Sequence, residues 1–297
     1  MNDLQKGITV FTPTYNRSKT LVRLYESLIE QPSEYFEWLV VDDGSTDNTN
    51  ELIEKFIKEE KIKIRYIYKE NGGKHTALNV GIENAEREYF MCVDSDDFVA
   101  KDGIKVLVEC IDRFHPEGII AYKKELGKEG IIGKEFPENL EYSTFFNLAH
   151  NLACGGERTF VHSTKLLKDI HIPEPKGQKF FPETYLYDRF DEKYTCFLLR
   201  KNICNCEYME GGYSANFRML MIRNALSMKW FYAERIDLAS TVKQRFTFAF
   251  RYDAYAMMAR SEAGRYNGRH RLMPIIAFPA GLAMYIVYSR YKKKNKV

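Results

Sequence analysis

The sequence has neither of the two glycine-rich motifs by which phosphate-binding loops are most easily recognised. No G-x-G-x-x-G follows the first predicted strand, and no G-x-x-x-x-G-K-[ST] occurs. The first absence argues against a dinucleotide cofactor, and the second argues against a P-loop that grips a nucleoside triphosphate. A nucleotide site in this chain must therefore be built from other elements.

Cysteine is sparse and lacks the regular spacing of a disulfide framework. The chain has 6 Cys in 297 residues, and the pair Cys204-x-Cys206 has no second Cys or His pair near it to complete a zinc site. The N-terminal MNDLQKGITV also lacks the charged, apolar and small-residue order of a secretory signal. We expect free thiols and a chain that begins in the cytoplasm.

Acidic residues are scarce in the last quarter of the chain. Residues 217–297 contain 16 Lys or Arg against 4 Asp or Glu, whereas residues 1–216 contain 28 against 37. The chain thus joins an acidic body to a strongly basic region. Such a region is attracted to an anionic surface, either a membrane or a nucleic acid, and composition alone does not choose between them.

One apolar run interrupts this basic region. LMPIIAFPAGLAMYIVYS (272–289) carries no charge and precedes RYKKKNKV. It lies at the short limit for a membrane-spanning helix, and Pro274 and Pro279 argue against a straight one. We predict a helix in the membrane interface, with the lysines on anionic head groups. A helix packed on the protein, followed by a basic tail, is the alternative.

The first hundred residues alternate strand-like and helix-like segments. Strands are predicted at 8–13, 38–43, 62–70 and 89–97, and helices at 18–30, 47–59 and 74–85. This alternation predicts an α/β fold with a mainly parallel central sheet and helices on both faces. Since ligands bind beyond the carboxyl ends of such strands, TPTYNR, DDGSTD, ENGGKH and DSDD are expected to meet on one rim.

Three carboxylates stand together in DSDD. Asp94, Asp96 and Asp97 follow a predicted buried strand, and they stay ionised only if donors, water or a cation balance them. Mg²⁺ or Mn²⁺ accepts one or two protein carboxylates when phosphates supply other oxygen ligands. DSDD therefore indicates a metal and a diphosphate, although an acidic turn that caps the next helix is the alternative.

The other clusters suit a nucleotide. Asp42 and Asp43 could accept hydrogen bonds from a base imide or a ribose hydroxyl, although a capping role is the alternative. Gly72 and Gly73 let the backbone approach an anion at a helix start, next to the charge of Lys74. Each cluster is a weak signal by itself.

Together and in this order, the four clusters resemble the N-terminal half of the family 2 glycosyltransferases. That resemblance is close over residues 7–100 and looser to about 215. It implies the GT-A fold, which is Rossmann-like, plus a helical C-terminal extension. It also implies a UDP-sugar donor, with Asp96 as a ligand of Mn²⁺ or Mg²⁺. The donor contacts that the resemblance implies are Thr12, Pro13, Tyr15, Asp42, Asp43, Asn71, Lys74, Asn79, Asp94 and Ser95.

The resemblance also implies a catalytic base for the acceptor hydroxyl. KFFPETYLYDRF (179–190) matches the relevant stretch, and Glu183 takes the acidic position, although Thr184 stands where related enzymes have Asp. We predict Glu183 as the base, with Asp188 and Asp191 as alternatives. The preceding ACGGERTF suggests Cys154, Gly156 and Glu157 for the acceptor groove.

Finally, the chain lacks Q-x-x-R-W, which the processive synthases resembling this family carry. We therefore predict a single-addition glycosyltransferase with domains at 1–215 and 216–297. It would act at the cytoplasmic face of the plasma membrane on a lipid-linked saccharide, bind anionic lipid through 272–289, and bind no nucleic acid. A sugar nucleotidyltransferase and a non-catalytic membrane-binding protein are the alternatives.

Overall fold

A computed structural model describes residues 4–207, 217–260 and 265–295. The strands are β1 (Gln5–Thr14), β2 (Phe36–Asp42), β3 (Ile64–Tyr68), β4 (Arg87–Cys92), β5 (Phe98–Val99), β6 (Gly118–Glu125), β7 (Tyr142–Ser143), β8 (Arg158–Ser163) and β9 (Cys196–Cys206). The helices are α1 (Ser18–Ile29), α2 (Thr49–Lys58), α3 (Lys74–Asn84), α4 (Gly103–Phe114), α5 (Phe145–His150), α6 (Thr164–Leu167), α7 (Thr184–Asp191), α8 (Phe217–Arg223), α9 (Ala225–Leu238), α10 (Val242–Ala259) and α11 (Leu272–Lys294). All six cysteines are free thiols, as predicted.

The first four strands form the predicted parallel sheet. Their order is β3-β2-β1-β4, and β1 pairs in parallel with both β2 and β4. Every residue of β2 is buried, as expected for a central strand of a parallel sheet that is covered on both faces. The carboxyl ends of these strands therefore lie at one edge.

Beyond β4 the sheet is mixed. β8 pairs antiparallel with β4 and with β6, and β9 runs parallel to β6 but antiparallel to β5 and β7. The α/β class is confirmed, while the parallel arrangement holds throughout only in the first four strands. Short strands set in long loops lack the regular alternation that identified the others.

The strand before DSDD is shorter than predicted. β4 ends at Cys92, and the amide of Val93 still donates to the carbonyl of Phe11. The amide of Asp97 then donates to the carbonyl of Asp94 over 2.9 Å, which closes a turn. The predicted strand 89–97 was wrong at its end because the aspartates form this turn.

Helix α1 packs on the sheet through one apolar stripe. Leu21, Leu24, Tyr25 and Leu28 are buried at the i, i+3, i+4, i+7 spacing of an amphipathic helix. Tyr25 stacks on Phe56 of α2 with ring centroids 3.8 Å apart. The two helices thereby cover one face of the sheet.

The chain divides into two compact units. The first contains Met1–Ile172 and Leu186–Tyr208, and the second contains Pro173–Tyr185 and Met209–Val297. Residues 173–185 fall within the predicted first domain but belong to the second unit, where the Lys179 amide donates to Asn224 Oδ1 over 2.8 Å. The predicted boundary at 215/216 lies outside the described residues.

In the second unit, α11 includes the apolar run at 272–289. It extends to Lys294 and continues through Pro279, while Pro274 lies in the first turn, where helix amides need no intrahelical partner. Among the described residues α11 alone is long and apolar enough to cross a membrane, and 17% of its most apolar window is buried.

The stripe of α1 supports a prediction about stability. Leu24→Ala should lower the free energy of unfolding by about 2–5 kcal/mol, because it opens a cavity in a fully buried site. Val22→Ala, on the exposed side of the same helix, should change it by only about 0.5 kcal/mol. Urea denaturation measures both, and equal losses would contradict the packing.

Candidate functional site

The carboxylate of Asp43 joins the end of β2 to the loop between β3 and α3. Its Oδ1 accepts hydrogen bonds from the Gly72 amide at 2.8 Å and Lys69 Nζ at 2.6 Å, and its Oδ2 accepts from the Gly73 amide at 2.7 Å. The group is almost fully buried. Two of the four polar clusters, DDGSTD and ENGGKH, are thus brought together as predicted.

Glycine is required where these two loops touch. Gly44 has φ of +85°, and a Cβ there would lie 2.9 Å from the amide nitrogen of Asn71. Gly73 has φ of +99° immediately before α3. Only glycine adopts such angles without strain, so the close approach depends on these two positions.

Asp42 has a different role from its neighbour. Its Oδ1 accepts from the Ser45 amide and its Oδ2 from the Tyr66 hydroxyl, both at 2.7 Å, and the residue is fully buried. Burial and the Asp42 carboxylate together raise the pKa of the Tyr66 phenol well above its ordinary value. The carboxylate of Asp42 therefore stabilises the turn after β2.

Asn16 and Asp47 hold TPTYNR against DDGSTD, and sequence reasoning missed both. Asn16 Oδ1 accepts from the amides of Thr46 at 2.7 Å and Asp47 at 3.2 Å. Asp47 accepts from the amides of Ser18 and Thr49, at the starts of α1 and α2. Burial alone would raise the pKa of Asp47, but hydrogen bonds from the hydroxyls and amides of Thr49 and Ser18 hold it below its ordinary value. Asn and Asp as turn and cap residues were the available signal.

Lys74 and Asp94 link the glycine loop to DSDD. Lys74 Nζ lies 2.7 Å and 3.0 Å from the two carboxylate oxygens of Asp94, and both side chains are partly exposed. Burial would raise the pKa of Asp94, but the charge of Lys74 outweighs it and holds the pKa below its ordinary value. The four clusters therefore form one rim, which confirms that expectation.

The carboxylate of Asp96 stands apart from these ion pairs. It is half-buried, and across the described ranges it makes no hydrogen bond or ion pair, while its main-chain oxygen accepts from Arg23 Nη2 at 2.7 Å. No cluster of three metal-binding side chains occurs within the part of the chain that the structure describes. The donor set still fits a hard divalent cation that takes its remaining ligands from a diphosphate, since one or two carboxylates then suffice.

Asp97 belongs to a buried network behind the rim. Its Oδ2 lies 2.5 Å from Lys123 Nζ, which also lies 3.2 Å from Glu157 Oε2. Burial, partly offset by the Lys123 charge, raises the pKa of Asp97 to about 7. Lys123 was missed because a lysine in strand β6 carries no sequence signal for a distant partner.

Two predicted donor contacts have other partners. Thr12 is fully buried, and its Oγ1 accepts from Trp38 Nε1 at 3.0 Å. Asn79 exchanges hydrogen bonds with the backbone of Ile172, donating at 2.8 Å and accepting at 3.0 Å. These hydrogen bonds give both side chains structural roles.

The remaining predicted donor residues lie on or near the rim. Tyr15 is 48% exposed after β1, whereas Pro13 is buried and contributes backbone shape. Asn71 Nδ2 donates to the Asp43 carbonyl at 2.8 Å. Ser95 is buried inside the DSDD turn. Tyr15 is therefore the side chain at the end of β1 that is open to a ligand.

The predicted base residues are divided between the two compact units: Glu183 belongs to the second, and Asp188 and Asp191 belong to the first. Glu183 is half-buried in the second unit, directly before α7. Asp191 is half-buried and accepts from the Phe146 amide at 2.8 Å, and the loss of solvent around its carboxyl raises its pKa to about 7. Asp188 is buried. Asp191 therefore stabilises the start of α5, which argues against it as the alternative base.

Of the three predicted acceptor-groove residues, one reaches the rim network. Glu157 pairs with Lys123, as described. Cys154 is buried with its Sγ 3.5 Å from the carbonyl of Glu135, and Gly156 packs so closely that a Cβ would lie 2.8 Å from Gly133 Cα. The buried Cys154 and the exposed Gly156 therefore shape the loop.

The chain resembles bacterial enzymes of polysaccharide synthesis. It is 32% identical over 188 residues to the poly(ribitol-phosphate) β-N-acetylglucosaminyltransferase TarS of Staphylococcus aureus, covering 60% of this chain and 32% of TarS. It is 34% identical over 143 residues to the poly-β-1,6-N-acetyl-D-glucosamine synthase of S. aureus, covering 48% and 34%. The chain thus aligns with about a third of the length of these relatives.

Solved structures show the same fold. The crystal structure of TarS residues 1–349 superposes with a TM-score of 0.62 at 22% identity, covering 98% of this chain and 92% of that one. Its complex with UDP-GlcNAc gives 0.61 at 21% identity, covering 97% and 92%. A mannosyltransferase of Pyrobaculum calidifontis with GDP-Man and Mn²⁺ gives 0.55 at 19% identity, covering 97% and 84%. The predicted fold class is confirmed.

The family model for glycosyl transferase family 2 matches residues 9–161, just over half of the chain. This range contains most of β1, all of β2–β4 and the four polar loops, together with Lys123 and Glu157. This chain belongs to glycosyl transferase family 2.

Proposed function

We propose that this chain moves one sugar from a UDP-sugar to a saccharide acceptor, with inversion, in the synthesis of a cell-surface polysaccharide. The observation that carries the proposal is the meeting of four polar loops on one rim, beside a carboxylate of Asp96 that makes no ion pair within the described ranges. TarS and the poly-β-1,6-GlcNAc synthase are both named for N-acetylglucosamine, and TarS has been crystallised with UDP-GlcNAc. UDP-GlcNAc is therefore the first donor to test.

The rim offers groups suited to each part of such a donor. Tyr15 presents an exposed ring next to the loop that Asn16 orders, and it could stack on the base. The amides of Gly72 and Gly73 are already taken by Asp43, so they shape the loop. Lys74 supplies a positive charge that is partly exposed and suits a phosphate.

Asp96, with Asp94 beside it, would hold Mn²⁺ or Mg²⁺. A bound divalent ion neutralises the charge that develops on a departing diphosphate. Asp94 is balanced by Lys74, so Asp96 is the carboxylate left to meet a cation. The P. calidifontis mannosyltransferase, which has a similar fold, was solved in complex with GDP-Man and Mn²⁺. This supports Mn²⁺ as the first metal to test.

The acceptor hydroxyl must lose its proton as it attacks. Its oxygen forms the new bond to the anomeric carbon, the bond from that carbon to the UDP oxygen breaks, and the electron pair leaves with UDP. Glu183 would take the proton as general base. Asp191 accepts from the Phe146 amide and Asp188 is buried, so Glu183 is the stronger candidate.

We further propose that the acceptor is linked to a lipid and that the enzyme works at the cytoplasmic face of the plasma membrane. The support is the exposed apolar surface of α11 and the lysines at its end. A substrate held at the inner leaflet requires an enzyme that reaches that surface. Relatives named for cell-wall polymers are consistent with this location.

Asp96→Asn should weaken metal-dependent UDP binding by about tenfold or more, since it removes a charged ligand. Calorimetric titration with UDP, in the presence and absence of Mn²⁺, measures the loss. Asp112→Asn is the matched control, because Asp112 pairs with Lys6 on the surface away from the rim. An unchanged dissociation constant for Asp96→Asn would refute the assignment of the metal ligand.

Glu183→Gln should preserve UDP affinity and lower sugar transfer by about a hundredfold or more, the usual contribution of a general base. The readout is label from UDP-GlcNAc incorporated into acceptors of a membrane extract. Glu129→Gln, at an exposed loop position, is the control. Normal transfer by Glu183→Gln would move the role to Asp188.

A further inference from the structure

Helix α11 packs on α10 through small residues on one face. Pro274, Ala277 and Gly281 are buried there, and a Cβ on Gly281 would lie 2.5 Å from Asp253 Cβ. Tyr288 of the same face lies over Tyr255 with ring centroids 5.9 Å apart. The two helices therefore approach closely along this line, which fixes the face of α11 that points away.

The opposite face of α11 is apolar and exposed. Its large side chains are between 39% and 71% exposed and recur at i, i+3, i+4 spacing. We call these residues the outer stripe: Leu272, Ile275, Ile276, Leu282, Ile286 and Val287. Contiguous exposed apolar surface of this kind marks an interaction site in a protein. Arg290, Lys293 and Lys294 continue the same face by helical spacing and are exposed.

A groove of about 580 Å³ opens beside the outer stripe. Its basic lining residues are Arg260, Arg290, Lys292 and Lys293, and no Asp or Glu lines it among the described residues. Met257, Met258 and Tyr285 give it apolar walls. Ile286 belongs to both the groove and the outer stripe, so the two surfaces are continuous.

We propose that this groove binds the phosphate head group of an anionic lipid while the outer stripe rests in the bilayer interface. Four cations with no acidic lining residue match a phosphate, and the adjoining apolar surface matches the glycerol and acyl region of the same molecule. A second copy of this chain would bring the same positive charge to the groove. The inference deepens the membrane contact proposed above and rests on it.

The helix lies on the membrane and does not cross it. Any bilayer around α11 would also surround α10, which packs along it. α10 carries Lys243, Arg245, Arg251 and Asp253, and such residues are costly inside hydrocarbon. A helix with one face on the protein, the other exposed, and basic residues at its end has the form of an interfacial anchor.

Vesicle flotation tests this arrangement in the full chain. We expect binding to phosphatidylcholine vesicles that contain phosphatidylglycerol, and weak binding to vesicles of phosphatidylcholine alone. The double variant Arg290→Gln, Lys293→Gln should lose roughly thirtyfold in partitioning onto anionic vesicles, since each cation near such a surface contributes about fivefold. Ile275→Ser with Ile276→Ser should weaken binding to the same vesicles without changing its salt dependence.

Lys55→Gln with Lys58→Gln is the matched control, because it removes the same charge from an exposed face of α2 and should bind vesicles normally. Thermal unfolding of every variant verifies folding. Equal binding to neutral vesicles, equal losses in the control, or preference for RNA over vesicles would each overturn the proposal. Wild-type protein that binds UDP but no vesicle refutes this inference alone, whereas vesicle binding without UDP binding refutes the transferase proposal alone.

Discussion

The buried carboxylate of Asp43 is the interaction on which the candidate site depends. It accepts hydrogen bonds from two backbone amides and one ammonium group, and all three come from the loop after β3. Removing one partner from a buried, charged network of this kind typically costs about 3–5 kcal/mol. The position of the glycine loop, and of Lys74 at its end, follows from this one side chain.

Two of the three carboxylates of DSDD are paired with a lysine, and the third is not. Lys74 balances Asp94, and Lys123 balances Asp97 from behind. Asp96 lies between them in sequence, and its carboxylate has no partner within the described ranges. An acidic turn that only capped a helix would have no reason to pair two carboxylates with lysines and leave the third unpaired. This distribution supports the proposed use of the turn for a cation and a diphosphate.

The second unit combines an exposed apolar helix face with a high local positive charge. Its outer stripe is too apolar to face water without cost, and its cations are too concentrated to face another basic surface. A membrane with anionic head groups, the partner proposed above, would satisfy both demands at once. The close packing of Gly281 on α10 keeps the stripe outward by fixing the rotation of α11.

The sequence by itself determined the features that arise from local period and turn chemistry. Alternating segments identified β1–β4 and α1–α3, and the polar loops after those strands identified the rim, because parallel strands must end at one edge. The apolar run of α11 was equally easy to recognise in the sequence. These are short-range patterns, so they can be recognised without knowledge of the rest of the fold.

Only the tertiary structure decided how each side chain is used. Thr12 and Asn79 have side chains that could bind a ligand. In the fold, however, Thr12 is hydrogen-bonded to Trp38, and Asn79 is hydrogen-bonded to the backbone of Ile172. Lys123 reaches Asp97 from a strand far along the chain, and Asp191 is taken by the start of α5. Partners so distant in sequence are chosen by strand pairing and packing, which no local pattern records.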